Sequence, residues 1–370
     1  MTQGFVPPEY PFDKLAPLQA ICEKHDGGMV DLSVGTPVDP PPTFVLDALA
    51  TSGAERGYPP SIGTVELRTA ASQWFARRLG VDVPSSQIAA CIGTKELVAG
   101  LPHWLHLRTP DRDTVLYPAV SYPTYEMGAA LAGCRAVAVP VDDQWRLDVT
   151  RIDPADAVRA LCLWSNTPGN PAGGLDDLAA IAAWGRTNGV PVLSDECYVE
   201  YTWAGARHTI LESGFDGMLA VHSVSKRSNL AGVRVGFFAG DPSLMSYLSE
   251  LRKHAGFMVP GPAQHAAAVA LGDDAHVEAQ AARYERRLQE FRRVLRDAFG
   301  IDVPLPGGGL YLWAEAPGGD AWAFAERLAV EAGCLVSPGD FYGPAAAGHV
   351  RIAMVQPDER LALVARRLQR

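Results

Sequence analysis

One lysine, Lys226, stands in a polar loop between two apolar runs of the chain, within the stretch from His222 to Gly236. Lysine and arginine together number 32, and only five of these residues are lysine. Because the chain uses arginine wherever a permanent positive charge suffices, we infer that this position requires an amine. A lysine amine can lose its proton and attack a carbonyl carbon to form a Schiff base, whereas a guanidinium stays protonated.

The same loop carries groups that suit a phosphate dianion. Ser223 and Ser225 offer hydroxyl donors, and Arg234 offers a guanidinium that can bind two oxygens at once. An aldehyde for the lysine and a phosphate for its neighbours together describe pyridoxal 5'-phosphate. A solvated turn with a few charges fits this short pattern equally well, so other stretches must decide between the two interpretations.

Five apolar runs of the chain each end in polar or glycine-rich residues. They are residues 88–91, 114–117, 160–164, 190–193 and 218–222. Helical segments alternate with these runs, which predicts an α/β fold whose main sheet is mostly parallel and flanked by helices. Ligands bind at the carboxyl ends of the strands in such a sheet, so we expect the five polar ends to converge.

Two of these ends supply charged parts of a cofactor site. Gly93-Thr94-Lys95 opens a helix, and the N–H groups at a helix N-terminus bind anions such as phosphate. Asp195 ends a buried strand and needs a cation, which a protonated pyridine nitrogen would provide. Taken alone, Asp195 is equally explained as a helix cap.

Three further residues follow the strands and could contact a pyridine ring. Tyr198 and Asn170 could bond its phenolic oxygen, and Tyr122 offers a face for stacking. Taken singly, Asn170 fits a turn and the two tyrosines fit a hydrophobic core. The combination of all these groups on one chain favours the cofactor site over the separate explanations.

The composition excludes several other classes of protein. Hydrophobic residues make up 48% and charged residues 20% of the 370 positions, which is typical of a soluble globular protein large enough for two domains. A net charge of -10 argues against a nucleic-acid surface, and no apolar run has the length of a membrane span. The N-terminus shows no export signal and the six cysteines form no metal or disulfide pattern, so we expect a cytoplasmic enzyme without a metal.

Three motifs resemble those of the class I/II pyridoxal-phosphate aminotransferases of fold type I: Asn170-Pro171-Ala172-Gly173, Asp195-Glu196-Cys197-Tyr198, and Ser223-Val224-Ser225-Lys226 through Arg234. The similarity runs from about Asp31 to the C-terminus, and Ala172 departs from the usual threonine. The resemblance implies that Lys226 binds the cofactor aldehyde and that Asp195 pairs with the ring nitrogen. It implies that Asn170 and Tyr198 bond the ring hydroxyl. It also implies a phosphate site formed by Thr94, Lys95, Ser223, Ser225 and Arg234.

The same resemblance assigns residues to the substrate and to a partner subunit. Arg351 lies in an apolar strand, where an arginine either snorkels at an edge or binds a carboxylate, and the family uses it for the substrate α-carboxylate. Gly35, which allows close backbone approach, and Asn170 complete this substrate site. Tyr58 matches a tyrosine that reaches the phosphate of the partner subunit, which implies a homodimer with shared active sites.

The predicted organisation has three parts. Residues 1–42 form an N-terminal arm and loop that pack on the small domain or on the partner subunit. Residues 43–250 form the large cofactor-binding domain, and residues 251–370 form a smaller α+β domain. The partners are expected to be an amino acid and a 2-oxo acid.

Three stretches, 32–40, 93–96 and 337–344, are similar to the actinobacterial N-succinyldiaminopimelate aminotransferases of lysine biosynthesis. This similarity predicts N-succinyl-L,L-2,6-diaminopimelate as donor and 2-oxoglutarate as acceptor. Aspartate or another amino acid as donor, and C–S β-elimination on the same fold, are alternatives because they use the same cofactor residues. A non-catalytic sensor of a transcription regulator would need an attached DNA-binding domain, for which about 30 residues before the first motif leave too little room.

Overall fold

The computed structural model describes residues 4–369, which form thirteen α-helices and twelve β-strands. The strands are β1 (Val30–Asp31), β2 (Ile88–Cys91), β3 (Thr114–Pro118), β4 (Arg135–Val139), β5 (Ala160–Asn166), β6 (Val192–Asp195), β7 (Met218–Ser223), β8 (Gly236–Gly240), β9 (Tyr311–Glu315), β10 (Cys334–Leu335), β11 (Ser337–Pro338) and β12 (His349–Ala353). The helices are α1 (Ala16–Cys22), α2 (Thr43–Thr51), α3 (Val65–Trp74), α4 (Thr94–Arg108), α5 (Thr124–Leu131), α6 (Pro154–Arg159), α7 (Leu178–Asn188), α8 (Val224–Arg227), α9 (Pro242–His254), α10 (Gly261–Leu271), α11 (Ala275–Phe299), α12 (Ala321–Ala332) and α13 (Asp358–Leu368). Within residues 4–369, every helix is too short or too polar to cross a membrane.

A seven-stranded sheet forms the centre of the larger part of the molecule, in the order β2-β8-β7-β6-β5-β3-β4. Strand β8 runs antiparallel to both of its neighbours, and all other pairs are parallel. Because two reversals restore the direction, β2 points the same way as β7, so the five predicted runs end at one edge. Strands β5 and β7 are buried along their whole length, as expected when helices cover both faces of a parallel sheet. The predicted α/β fold with a mostly parallel sheet is confirmed.

A second group of strands belongs mainly to the C-terminal part of the chain. Strands β11, β12 and β9 form an antiparallel sheet in that order, and β1 pairs in parallel with β10. The hydrophobic core around these strands includes Leu15, Leu18 and Cys22, so the N-terminal segment packs on the C-terminal part. The domain limits at residues 42 and 250 stay a prediction.

The elements differ from the prediction in a few places that have local causes. Strand β6 begins at Val192 rather than at Val190, because the Val190 N–H bonds to the carbonyl of Gly185 and closes helix α7. The sequence pattern predicts one helix over 242–257. Helix α9 instead ends at His254, and α10 follows as a separate helix that the pattern does not predict. Strand β4 is also not predicted from the sequence. It lies at the sheet edge and three of its five residues are exposed, so its sequence need not form a buried apolar run.

Candidate active site

A cavity of about 380 Å³ lies at the carboxyl edge of the seven-stranded sheet. Of the thirteen predicted site residues, twelve line this cavity. They are Gly35, Thr94, Lys95, Tyr122, Asn170, Asp195, Tyr198, Ser223, Ser225, Lys226, Arg234 and Arg351. The thirteenth, Tyr58, does not line the cavity and is 96% exposed. Its predicted contact with a partner subunit stays a prediction.

Lys226 follows β7 in the short helix α8 and reaches into the cavity. Its Nζ donates a hydrogen bond to the carbonyl oxygen of Gly35. Burial lowers the pKa of this amine to about 8, and the positive charges of Arg351 and Arg234 act in the same direction. A substantial fraction of the amine is therefore neutral in mildly alkaline solution, where it can attack a carbonyl carbon.

Asp195 is the last residue of β6 and is 7% exposed. Its carboxylate accepts hydrogen bonds from the Tyr125 hydroxyl at 2.9 Å and from the Cys197 N–H at 3.2 Å. Burial raises the pKa of this carboxyl group, and within the described residues it forms no salt bridge. A protonated pyridine nitrogen beside it would provide the missing cation.

The residues predicted for the phosphate surround the N-terminus of helix α4. Gly93 precedes this helix with a φ of 69°, and a Cβ atom on it would lie 2.1 Å from Nη2 of Arg234. Glycine is therefore required for the guanidinium to lie against this helix end. The α4 N–H groups, the hydroxyls of Thr94, Ser223 and Ser225, and the guanidinium fit a phosphate dianion.

Arg351 comes from β12 and is 3% exposed. Its Nη1 donates to the side-chain oxygen of Asn170 at 2.8 Å, and its Nη2 donates to the carbonyl of Ser33. Its Nε has no hydrogen-bond partner among the described residues. The rings of Tyr311 and Tyr342 lie 4.3 Å and 5.0 Å from the guanidinium carbon. This buried cation, with one donor free, suits a substrate carboxylate.

Several lining residues lie outside the prediction. They are chiefly Tyr10, Phe12, Asn166, Cys197 and Tyr311. The glycine-rich sequence of 307–313 predicts a packing turn followed by a strand. The turn holds for its glycines, since a Cβ on Gly308 would lie 2.5 Å from Pro168. Tyr311 nevertheless begins β9 inside the cavity wall. No local signal identifies it, because its position depends on the pairing of β9 with β12.

The three parts of the site match the three binding features of one cofactor. Lys226 supplies an amine for an aldehyde, Asp195 supplies a buried carboxylate that lacks a cation, and the α4 N-terminus with Arg234 supplies an anion site. These residues fit pyridoxal 5'-phosphate. The cofactor would react with amines, and Arg351 beside it can bind a carboxylate. A site with both features belongs to a pyridoxal-phosphate enzyme that acts on amino acids.

Residues 27–368 match the family model described as aminotransferase class I and II. The chain belongs to the class I/II aminotransferases, and it is a pyridoxal-phosphate-dependent transferase of amino groups.

Three relatives illustrate the range of this similarity. The chain is 45% identical to 4-dedimethylamino-4-oxo-anhydrotetracycline transaminase OxyQ of Streptomyces rimosus, over 98% of this chain and 99% of that protein. It is 41% identical to a probable aminotransferase of Mycobacterium tuberculosis, over 98% and 85% of the two chains. It is 31% identical to an LL-diaminopimelate aminotransferase of Dehalococcoides mccartyi, over 96% and 94%.

Two solved structures are similar over nearly the whole chain. BacF from Bacillus subtilis superposes with a TM-score of 0.90 at 26% identity, covering 99% of this chain and 98% of that one. A probable N-succinyldiaminopimelate aminotransferase from Thermus thermophilus superposes with a TM-score of 0.87 at 28% identity, covering 97% and 99%. Apart from BacF, whose name gives no activity, these relatives are named as aminotransferases or transaminases, and the substrates in their names differ, so the names do not select one amino donor.

Proposed function

We propose that this aminotransferase transfers the amino group of N-succinyl-L,L-2,6-diaminopimelate to 2-oxoglutarate in lysine biosynthesis. The observation that carries this proposal is that the cavity contains one more positively charged side chain than the cofactor and the substrate α-carboxylate require. Lys226 binds the cofactor, Arg234 serves the phosphate and Arg351 serves the α-carboxylate. Lys95 remains, and among the described residues its amine has no carboxylate partner.

The surroundings of Lys95 favour a substrate role over the phosphate role that the family resemblance implies. Its Nζ donates a hydrogen bond to the Tyr10 hydroxyl at 3.1 Å and lies 4.7 Å from the centre of that ring. Tyr10 belongs to the N-terminal segment and also lines the cavity. We assign this amine to the second carboxylate of the substrate, because an ammonium group stabilises a carboxylate without demanding one fixed geometry.

Both proposed substrates contain such a second carboxylate. The succinyl group of the donor ends in one, and 2-oxoglutarate carries one at the end opposite its α-carboxylate. The names of the diaminopimelate aminotransferase relative and of the similar Thermus structure support a donor of this class.

The residues of the chain divide the work of transamination. When bound, pyridoxal phosphate supplies an aldehyde that joins to amines and a ring that withdraws electrons from the α-carbon. Lys226, whose pKa is lowered to about 8, takes the α-proton as general base and returns it as general acid. Asp195 keeps a ring nitrogen protonated. Arg351 orients the substrate through its α-carboxylate, so that the proton lies within reach of the lysine.

The test compares kcat/KM for the succinylated donor, aspartate and alanine, each with 2-oxoglutarate as acceptor. We expect the succinylated donor to be preferred. Lys95→Met should lower kcat/KM for dicarboxylic donors by roughly 10- to 100-fold, which corresponds to the loss of one charged hydrogen bond, and should lower kcat/KM for alanine far less.

Lys253→Met is the matched control, since this lysine lies on the surface with its side chain 65% exposed. A preference for aspartate would refute the succinylated donor, and equal losses for alanine would refute the role of Lys95.

A second candidate follows from the relative with the highest identity among those described. That relative is named as a transaminase of a 4-oxo-anhydrotetracycline derivative, so its acceptor contains a ring ketone. If this chain resembles it in substrate, a polycyclic ketone should accept the amino group faster than 2-oxoglutarate does. The same assay with such a ketone as acceptor separates the two candidates.

A further inference from the structure

Two tyrosines from distant parts of the chain meet at the wall of the cavity. Tyr198 follows β6, whereas Tyr311 begins β9 in the C-terminal part. Their hydroxyl oxygens lie 2.6 Å apart, and the two residues are 7% and 1% exposed. Within the described chain, the Tyr311 hydroxyl has no other hydrogen-bond partner.

The position of Tyr311 is fixed on two further sides. A Cβ atom on Gly35 would lie 2.0 Å from its hydroxyl oxygen, so the hydroxyl packs directly on the glycine backbone. Its ring lies 4.3 Å from the guanidinium carbon of Arg351. The Tyr311 ring is therefore packed on two sides, with its hydroxyl oxygen next to that of Tyr198.

We propose that Tyr311 is a positioning residue, whose hydroxyl donates to Tyr198 so that the single proton of Tyr198 points at the phenolic oxygen of the bound cofactor. Each hydroxyl has one proton, and a Tyr198 that gave its proton to Tyr311 would have none for the cofactor. Burial and the neighbouring Tyr311 raise the pKa of Tyr198 well above its ordinary value, so Tyr198 stays a donor. The inference rests on the cofactor and on the assignment of Tyr198, and it is independent of the proposed substrate.

This arrangement has a consequence that absorbance can measure. A proton donated to the phenolic oxygen reduces the negative charge on that oxygen. The nitrogen that joins Lys226 to the cofactor then holds its own proton less firmly, because that negative charge stabilises it. Removing the donor should move the visible absorbance transition of the holoenzyme to higher pH. Asp195, Cys197, Arg234 and Arg351 act electrostatically on the Lys226 amine. Three further titratable groups, Tyr10, Lys95 and Tyr122, line the same cavity.

The experiment titrates purified holoenzyme without substrate and follows the visible absorbance against pH. Tyr311→Phe keeps the ring against Arg351 and removes only the hydroxyl. We expect Tyr198→Phe to raise the transition pH because it removes the donor itself. Tyr311→Phe should raise it by roughly 0.2–0.5 units, because a second hydrogen bond in a chain strengthens the first by ~10–30%. The double variant should show no shift beyond that of Tyr198→Phe, because Tyr311 acts through Tyr198.

Tyr342→Phe is the matched control. Tyr342 is equally buried and packs on the same guanidinium, but its hydroxyl has no hydrogen-bond partner among the described residues. This variant should leave the transition at the wild-type pH. The proposal would be overturned if Tyr311→Phe also left it there, or if the shifts of Tyr198→Phe and Tyr311→Phe simply added in the double variant. Neither result depends on which amino acid is the donor.

Discussion

Replacing Glu200 by glutamine tests whether a buried ion pair next to the cofactor lysine stabilises the fold. Glu200 is 3% exposed and accepts hydrogen bonds from Arg227 Nε at 2.9 Å and from Arg78 Nη2 at 2.8 Å. Arg227 is also 3% exposed and stands next to Lys226 in the chain. The carboxylate thus connects the lysine loop to the helical segment after α3.

The expected loss of stability follows from this burial. Glutamine preserves the shape but removes the charge, so among residues 4–369 Arg227 keeps only Asp274, at 3.1 Å from its Nη2, as an acidic partner. Breaking a buried pair costs about 3–5 kcal/mol, and the remaining partner favours the lower end of that range. For the 370 residues of the chain, a loss of about 3 kcal/mol corresponds to a decrease in Tm of roughly 4 °C.

The assay is thermal and urea unfolding at neutral pH and fixed protein concentration, with Glu278→Gln as control. Glu278 accepts a hydrogen bond from the same Arg78, but its side chain is 53% exposed. An exposed pair contributes less than about 1 kcal/mol, so this variant should unfold close to the wild type. If the two variants lost equal stability, burial would not be the source of the effect.

The pH dependence gives an independent check of the same contact. Burial alone would raise the pKa of Glu200, but the charges of Arg227 and Arg78 outweigh it, so the pKa is lowered from its ordinary value of 4.5. A carboxyl group with a lowered folded-state pKa stabilises the fold fully above its ordinary pKa and loses that effect as the pH falls through the folded value. The difference between wild type and Glu200→Gln should therefore narrow below pH 4.5.

Two other predictions concern the site itself. Asp195→Asn should retain bound cofactor but lose activity by about 100-fold or more, the usual scale for one catalytic electrostatic group; normal kinetics would give Asp195 a structural role. If the sites are shared between subunits, an equal mixture of inactive Lys226→Ala with Tyr58→Ala should regain roughly a quarter of wild-type activity, because half of the dimers are mixed and each has one intact site. Sedimentation as a monomer under assay conditions would contradict the shared site.

The strand ends could be predicted because buried parallel strands are nearly continuous apolar runs. The run 218–222 stops where the polar loop begins, and β7 ends one residue later at Ser223. Apolar residues at helical spacing predict a helix over 275–299, and α11 has the same limits, with Tyr284, Leu288, Phe291 and Leu295 buried. The residues at the carboxyl ends of these strands could therefore be assigned to one cavity from the sequence.

Tyr311 and Glu200 could not be assigned in this way, since their roles depend on residues far away in the sequence. The hydroxyl partner of Tyr311 is 113 residues distant, and Arg78 is 122 residues from Glu200. From the sequence alone, Tyr311 would be assigned as a buried aromatic residue in a strand. Glu200 would be assigned as a charged residue on the surface. Their contacts exist only because the C-terminal sheet and the helical segment after α3 pack against the segment after β6.

These two contacts hold the same short segment to different parts of the molecule, and their effects should separate. Tyr198 bonds to Tyr311 in the C-terminal part, while Glu200 bonds to Arg78 and Arg227 in the larger part. The tyrosine pair is one neutral hydrogen bond worth about 1 kcal/mol, whereas the carboxylate neutralises buried charge. Tyr311→Phe should therefore change the absorbance of the holoenzyme with little loss of stability, and Glu200→Gln should do the reverse. If both variants changed both properties in proportion, the segment would be responding as one rigid unit, and the separate role inferred for the Tyr311 hydroxyl would be wrong.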